Sequence, residues 1–167
     1  MRERNIIRGG LRSFGSTAAS TPGRFNLFDY RGATLIADYG HNPDAILALV
    51  RAVEALPAQR RIVVISGAGD RRDEDIREQT RILGAAFDEA VLYQDQCQRG
   101  RAEGEVLALL REGLRNAPRT RDIEEVTGEF RAIDIALSHL KPGDLCLILI
   151  DQVEAALAHI AKRIAEP

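Results

Sequence analysis

Hydrophobic and polar positions follow two alternating patterns along this chain. Short apolar runs rich in β-branched residues are typical of buried strands, and longer segments with apolar residues at helical spacing are typical of amphipathic helices. After an amino-terminal hairpin, the predicted strands are residues 61–66, 90–93, 123–126 and 144–150. The predicted helices are residues 44–56, 73–87, 103–115, 129–140 and 152–165.

The first two strands are predicted to form the hairpin. Residues 25–30 alternate between apolar and polar side chains, Arg31 and Gly32 supply a turn, and the apolar run 33–37 follows. Every later strand is separated from the next by a helix, so these connections are parallel crossovers. The pattern predicts an α/β, Rossmann-like three-layer sandwich with a mostly parallel sheet of about six strands, one antiparallel amino-terminal strand, and helices on both faces.

Composition narrows the class of protein. A length of 167 residues with 45% hydrophobic content suffices for one core, and a net charge of -2 with interspersed acids and bases argues against a nucleic-acid partner. Cys146 lies inside an apolar run, which favours a buried thiol. The apolar runs are too short to span a bilayer and no signal peptide follows Met1, so we expect a cytoplasmic protein without a membrane partner.

Polar side chains cluster where three predicted parallel strands end. Asp38 ends the first of these strands and starts a short turn to Asn42, which is a good helix N-cap. Residues 67–73 form a glycine-rich loop whose free amides suit an anion. Asp95 ends the third strand, and the arginines that follow it suit a carboxylate. Because the carboxyl ends of parallel strands open on one edge, the three loops are expected to converge.

Each of these loops also has a purely structural interpretation. Asp38, His41 and Asn42 can simply close the turn and cap the helix. The acids of the second loop favour a helix N-terminus, so a capped helix with solvated charges explains them equally well. Histidines and cysteines do not occur at the spacings typical of metal ligands, and the calcium-loop pattern is absent. No metal site is therefore predicted in this chain.

Three motifs occur in an order that characterises one known family. Residues 22–25 read Pro-Gly-Arg-Phe, residues 38–44 read Asp-Tyr-Gly-His-Asn-Pro-Asp, and residues 69–72 read Gly-Asp-Arg-Arg. By these motifs the chain resembles the carboxy-terminal domain of the Mur ligase family over nearly its whole length. The resemblance implies that residues 1–21 are the linker or tail of a preceding central ATPase domain, and that residues 22–167 are the Rossmann-like domain itself.

Four further stretches are most similar to the cyanophycin synthetase branch of that family: residues 10–14, 70–77, 99–101 and 150–154. The resemblance implies part of an ATP-dependent amide ligase, in which ATP phosphorylates a carboxylate and an amine attacks the acyl phosphate. In this branch the reaction adds arginine to poly-aspartate. The alternatives are the corresponding domain of a muropeptide or folylpolyglutamate ligase, or a stand-alone interaction module that keeps the fold without catalysis.

The resemblance also assigns roles by position. Arg24 would act in catalysis at the ATP phosphates, together with His41. Asp38 would bond the ribose, with Asn42 at the same nucleotide edge, and Arg24 and Asp38 are expected on one surface outside the packed core. Binding of the amino-acid substrate would fall to Asp70, Arg71, Asp95, Arg99 and Arg101.

The sequence contains no Gly-x-x-x-x-Gly-Lys-Ser/Thr phosphate loop. We therefore expect the chain to be an expressed fragment or a truncated gene product, inactive in isolation. Its implied partners are the central ATPase domain of the same ligase, ATP, and an amino acid for which arginine is the candidate. The cofactors would be ATP and Mg, held mainly by the central domain.

Overall fold

The computed structural model describes residues 21–95 and 99–167. The sequence-based interpretations of residues 1–20 lie outside this range. Within it, the strands are β1 Asn26–Tyr30, β2 Ala33–Asp38, β3 Arg61–Ile65, β4 Glu89–Gln94, β5 Asp122–Thr127 and β6 Leu145–Leu149. The helices are α1 Pro43–Glu54, α2 Asp73–Gly84, α3 Glu105–Gly113, α4 Glu129–His139 and α5 Val153–Ala165.

The six strands form one sheet in the order β1-β2-β6-β3-β4-β5. β1 pairs antiparallel with β2, with Asn26 opposite Ala37, and the other neighbours are parallel. Two hydrophobic cores lie on opposite faces of the sheet, one under α1, α2 and α3 and the other under α4 and α5. The α/β, three-layer, mostly parallel fold predicted from the hydrophobic pattern is confirmed.

The sheet order creates a crevice at one edge. β2 and β3 lead into helices on one face, whereas β6, which lies between them, leads into α5 on the other face. The loops at their carboxyl ends therefore diverge, and in open α/β sheets ligands bind in the crevice that such a divergence leaves. The three predicted polar loops all lie at this edge.

Local sequence sets the start of α1, and tertiary packing sets the end of α2. Asn42 accepts a hydrogen bond from the Ala45 amide at 2.9 Å and caps α1, with Pro43 in the first turn. α2 stops at Gly84, before the predicted end at Phe87, because the chain turns there and Phe87 is fully buried in the core. A Cβ on Gly84 would lie 2.9 Å from the Cβ of Ala117, so only glycine allows this close approach.

Two composition-based expectations can also be compared with the structure. Cys146 is fully buried in β6, and burial raises the pKa of its thiol, as expected for a structural cysteine. No helix within residues 21–95 and 99–167 is long and apolar enough to cross a bilayer.

Candidate functional site

The turn that precedes β1 packs against the carboxyl end of β2. Because β1 is antiparallel to β2, residues 22–25 lie beside Asp38. The Phe25 amide donates to Asp38 Oδ2 at 2.8 Å, and the Tyr39 amide donates to the Gly23 carbonyl at 2.9 Å. Arg24 is exposed at this turn, and the hydrogen bonds on either side of it fix its backbone. Arg24 and Asp38 are thus neighbours, and the charge of Arg24 acts on the Asp38 carboxyl.

Asp38 is buried, with only 8% of its surface exposed, so the expectation that it stands outside the packed core is wrong. Burial raises the pKa of its carboxyl above the ordinary value, and the backbone hydrogen bonds from Phe25 and Gly40 and the charge of Arg24 oppose that rise. The physical reason for the burial is that residues 22–25 cover the strand end. Asp38 therefore holds in place the turn that presents Arg24.

His41 is fixed from two sides in the turn after β2. Its Nε2 donates to the Ile150 carbonyl at 3.0 Å, and its own carbonyl accepts a bond from Gln79 Nε2 at 2.7 Å. Burial lowers the pKa of His41, the Asp151 carboxylate and the Ile150 carbonyl raise it, and the charges of Arg71 and Arg99 lower it again. Burial therefore favours a neutral imidazole, and the hydrogen bond to the Ile150 carbonyl places its proton on Nε2.

The loops after β2, β3, β4 and β6 line one cleft. Its walls include His41, residues 66–69, Asp95, Arg99 and Asp151. The convergence of the three polar loops, predicted from the parallel sheet, is confirmed. The fourth wall, at Asp151, comes from the end of β6 and was not among the predicted site residues.

Two carboxyl groups, those of Asp95 and Asp151, line this cleft. Burial raises the pKa of Asp95 to about 7, with further contributions from a side-chain hydrogen bond to Asp151 and from the charges of Asp151 and Glu129, while Arg99 lowers it. Glu129 is only 2% exposed and accepts the amides of Asp151 at 2.7 Å and Gln152 at 3.1 Å. Glu129 thus fixes the loop that carries Asp151.

One guanidinium group, that of Arg99, also lines the cleft. Arg99 Nη1 donates to Asp70 Oδ1 at 3.1 Å, and both side chains are about half exposed. Arg71 is exposed and close enough to influence His41. A cleft that holds both carboxylates and a guanidinium group is complementary to a zwitterion, whose ammonium and carboxylate meet opposite charges.

Arg101 has a different environment from Arg99. Its Nε donates to the Gly69 carbonyl at 2.8 Å and its Nη2 to the Arg71 carbonyl at 2.7 Å. Its Nη1 pairs with Asp73 at 2.7 Å and Glu105 at 2.8 Å. In this structure Arg101 therefore holds the glycine-rich loop, and it is not among the side chains that line the cleft.

Sequence reasoning missed three residues that build the site. Asp151 directly follows the strand β6, so the same strand-end rule that selected Asp95 could have found it. Glu129 and Gln79 lie in α4 and α2, and no local pattern marks them, because their partners are distant in sequence.

Outside the cleft, Glu89, Glu124 and His139 place potential metal-ligand atoms close together. His139 Nδ1 pairs with Glu89 at 2.5 Å, and Arg60 pairs with the other oxygen of the same carboxylate. Glu89 is buried, and both oxygens of its carboxylate already have a protein partner. The group is therefore explained by the contacts that a buried carboxylate makes with Arg60 and with the end of α4.

Known proteins resemble this chain in sequence and in fold. The cyanophycin synthetase of Geminocystis herdmanii (strain PCC 6308) is 35% identical over 157 residues, which are 94% of this chain and 18% of that protein. The chain thus spans about a fifth of the length of that relative.

Two solved structures share the fold. A UDP-N-acetylmuramoyl-L-alanyl-D-glutamate–2,6-diaminopimelate ligase superposes with a TM-score of 0.70 at 18% identity, over 86% of this chain and 32% of that one. The bifunctional folylpolyglutamate synthase/dihydrofolate synthase of Yersinia pestis, complexed with AMPPNP and Mn, superposes with a TM-score of 0.61 at 24% identity. The match covers 87% of this chain and 32% of that one.

A family model of the Mur ligase, glutamate ligase domain matches residues 23–149. That range starts in the turn before β1 and ends with β6, so it includes the whole sheet and most of the cleft. This chain belongs to the Mur ligase family, in which it corresponds to the glutamate ligase domain.

Proposed function

We propose that this chain is the carboxy-terminal lobe of an ATP-dependent amide ligase of the cyanophycin synthetase type, which adds arginine to aspartate side chains of poly-aspartate. The observation that carries the proposal is the cleft lined by the carboxylates of Asp95 and Asp151 and by Arg99. His41 in its wall follows the strand end on which the turn at Arg24 packs. Such a cleft fits an amino-acid substrate beside an anionic, phosphorylated partner. The lobe supplies contacts to both and acts only with a central ATPase domain.

The turn at Arg24 fits the phosphates of a nucleotide. Its guanidinium is exposed on a turn that backbone hydrogen bonds hold, which is the arrangement needed for a preorganised cation. Asp38 and Asn42 border the same edge and are proposed to contact the ribose side. Bound ATP would supply the phosphoryl group, and Mg would be held mainly by the central domain. His41, fixed to Ile150, shapes the wall between nucleotide and amino acid.

The cleft itself is proposed to hold the incoming arginine. Asp95 and Asp151 face its positive groups, and Arg99, which Asp70 orients, faces its carboxylate. Arg71 adds positive charge at the rim, and Arg101 keeps the loop that carries it in place through the Arg71 carbonyl. The specificity for arginine rests on the match in charge and on the similarity to the Geminocystis protein.

The isolated chain is expected to fold cooperatively and to hydrolyse no ATP. One wall of a cleft buries only part of a nucleotide, and the sequence has no phosphate loop to complete it. Thermal unfolding, calorimetry with ATP, and phosphate release with Mg present measure these properties. Saturable, Mg-dependent hydrolysis by the purified 167-residue chain would contradict the split site.

The identity of the two substrates is tested with the complete polypeptide, which includes a phosphate-loop domain. ADP release is measured with poly-aspartate and arginine, and compared with muropeptide and folate acceptors and with glutamate or diaminopimelate as the amine. Dependence on poly-aspartate and arginine together supports the proposal. A preference for another pair would assign the chain to a different ligase, and no ADP release with any pair would favour an interaction module.

A further inference from the structure

We propose that Asp95 and Asp151 act together as the proton acceptor for the incoming amine, taking one proton from its ammonium before the nitrogen attacks. This inference rests on the proposed ligase function and assigns a chemical step to a pair of carboxyl groups in the cleft. It predicts that their loss slows the reaction of bound substrate and does more than weaken binding.

The step is needed because an ammonium nitrogen has no lone pair. One proton passes from the ammonium to the Asp95 and Asp151 pair, which leaves a neutral amine. The nitrogen then forms a bond to the acyl carbon, the bond between that carbon and the phosphate oxygen breaks with its electron pair on oxygen, and the second proton leaves with hydrogen phosphate. Atoms and charge balance without any further reactant.

The geometry supports a shared role for the two acids. They come from the ends of different strands, β4 and β6, yet both line the cleft, and Asp151 is close enough to raise the pKa of Asp95. The backbone beneath them is fixed, because the Tyr93 hydroxyl on β4 donates to the Leu149 carbonyl on β6 at 3.0 Å. Two neighbouring carboxylates repel each other, so a proton shared between them is stabilised and the ionised pair readily accepts one.

The charged groups around the pair have opposing effects. Burial disfavours the ionised form of Asp95, and Asp151 and the buried Glu129 on α4 act in the same direction. Arg99 from the loop after β4 favours the ionised form. The resulting pKa of Asp95, about 7, leaves the pair partly able to accept a proton at neutral pH, which is the condition for an efficient general base.

His41 is the other titratable side chain near this position. Its Nε2 donates to the Ile150 carbonyl at 3.0 Å and lies 3.8 Å from Asp151 Oδ1. That ring nitrogen already carries its proton in the hydrogen bond, so it cannot accept another. The carboxyl pair is the better placed acceptor in the cleft.

The first test titrates the 167-residue chain itself, by the carbon chemical shifts of its aspartate carboxyls. A carboxyl assigned to Asp95 is expected to titrate with an apparent pKa of about 7, and Asp151→Asn is expected to lower that pKa by removing a like charge. Asp122→Asn, an exposed acid at the start of β5, serves as the matched control and is expected to leave it unchanged. Titration of Asp95 in the ordinary acidic range would overturn the inference.

The second test compares two nucleophiles in the complete ligase. With arginine at saturation, Asp95→Asn and Asp151→Asn are each expected to lower kcat roughly a hundredfold and to change the acidic limb of its pH profile. Hydroxylamine is largely unprotonated at neutral pH and needs no base, so hydroxamate formation is expected to fall much less. The ratio of amide to hydroxamate therefore drops in both variants.

The outcomes separate this inference from the proposed function. If the wild-type enzyme forms no hydroxamate with ATP and poly-aspartate, it does not activate the carboxylate, and both proposals fall. If it forms hydroxamate, but the variants lose arginine and hydroxylamine activity equally, or change only the KM for arginine, the ligase proposal stands and the proton-transfer role is excluded.

Discussion

Gly113→Ala is expected to lower the free energy of unfolding by about 3 kcal/mol. Gly113 ends α3 where it packs on α2, and an added Cβ would overlap the Thr80 hydroxyl and the Arg77 carbonyl oxygen. A backbone carbonyl cannot turn aside, so the two helices must separate and strain the hydrogen bond from Thr80 to Leu110, now 2.7 Å long. Alanine normally stabilises a helix relative to glycine by about 0.5–1 kcal/mol, which is too little to offset this cost.

Urea denaturation of the two purified proteins measures the difference. The matched control is Gly104→Ala, because Gly104 has a φ of 82° and no atom within 4 Å of the added Cβ. Its expected cost is about 1 kcal/mol of backbone strain without any overlap. If Gly113→Ala were as stable as wild type, or if the two variants lost equal stability, the close contact between α2 and α3 would not be what excludes a side chain at residue 113.

The sequence was most informative where structure depends on local pattern. Apolar runs such as residues 61–66 and helical spacing such as residues 44–56 predicted the elements and their alternation. The position of β6 between β2 and β3 could not be predicted, because pairing of distant strands leaves no local signal. The early end of α2 has the same origin, since Phe87 leaves the helix to fill the core.

One rule about parallel sheets predicted which loops form the candidate site. Parallel strands open on one edge, and this rule was enough to bring His41, Asp95 and Arg99 to one cleft. The environment of each side chain was not predictable. Asp38 is buried because the turn before β1 covers it, and Arg101 holds a loop 30 residues away in sequence through the Arg71 carbonyl.

Arg24→Ala in the complete ligase is expected to lower turnover roughly a hundredfold or more, with a smaller effect on the KM for ATP. A fixed cation that meets charge developing on the phosphoryl group acts mainly in the transition state. The fold should not change, because Arg24 is exposed. Arg51→Ala, an exposed arginine on α1, is the matched control and is expected to leave turnover unchanged. Intact turnover in Arg24→Ala would remove this residue from the phosphate site.

Asp38→Ala is expected to raise the KM for ATP, by the equivalent of about 1.5–3 kcal/mol if one charged hydrogen-bonding partner is lost. Because Asp38 accepts the Phe25 amide and thereby holds the turn at Arg24, its replacement should also reduce turnover. The double variant tests this coupling: if Asp38 acts partly through Arg24, the combined loss is smaller than the product of the two single losses. Independent losses would instead show that Asp38 contributes only through its own contact with the nucleotide, and that the turn keeps its shape without the carboxylate.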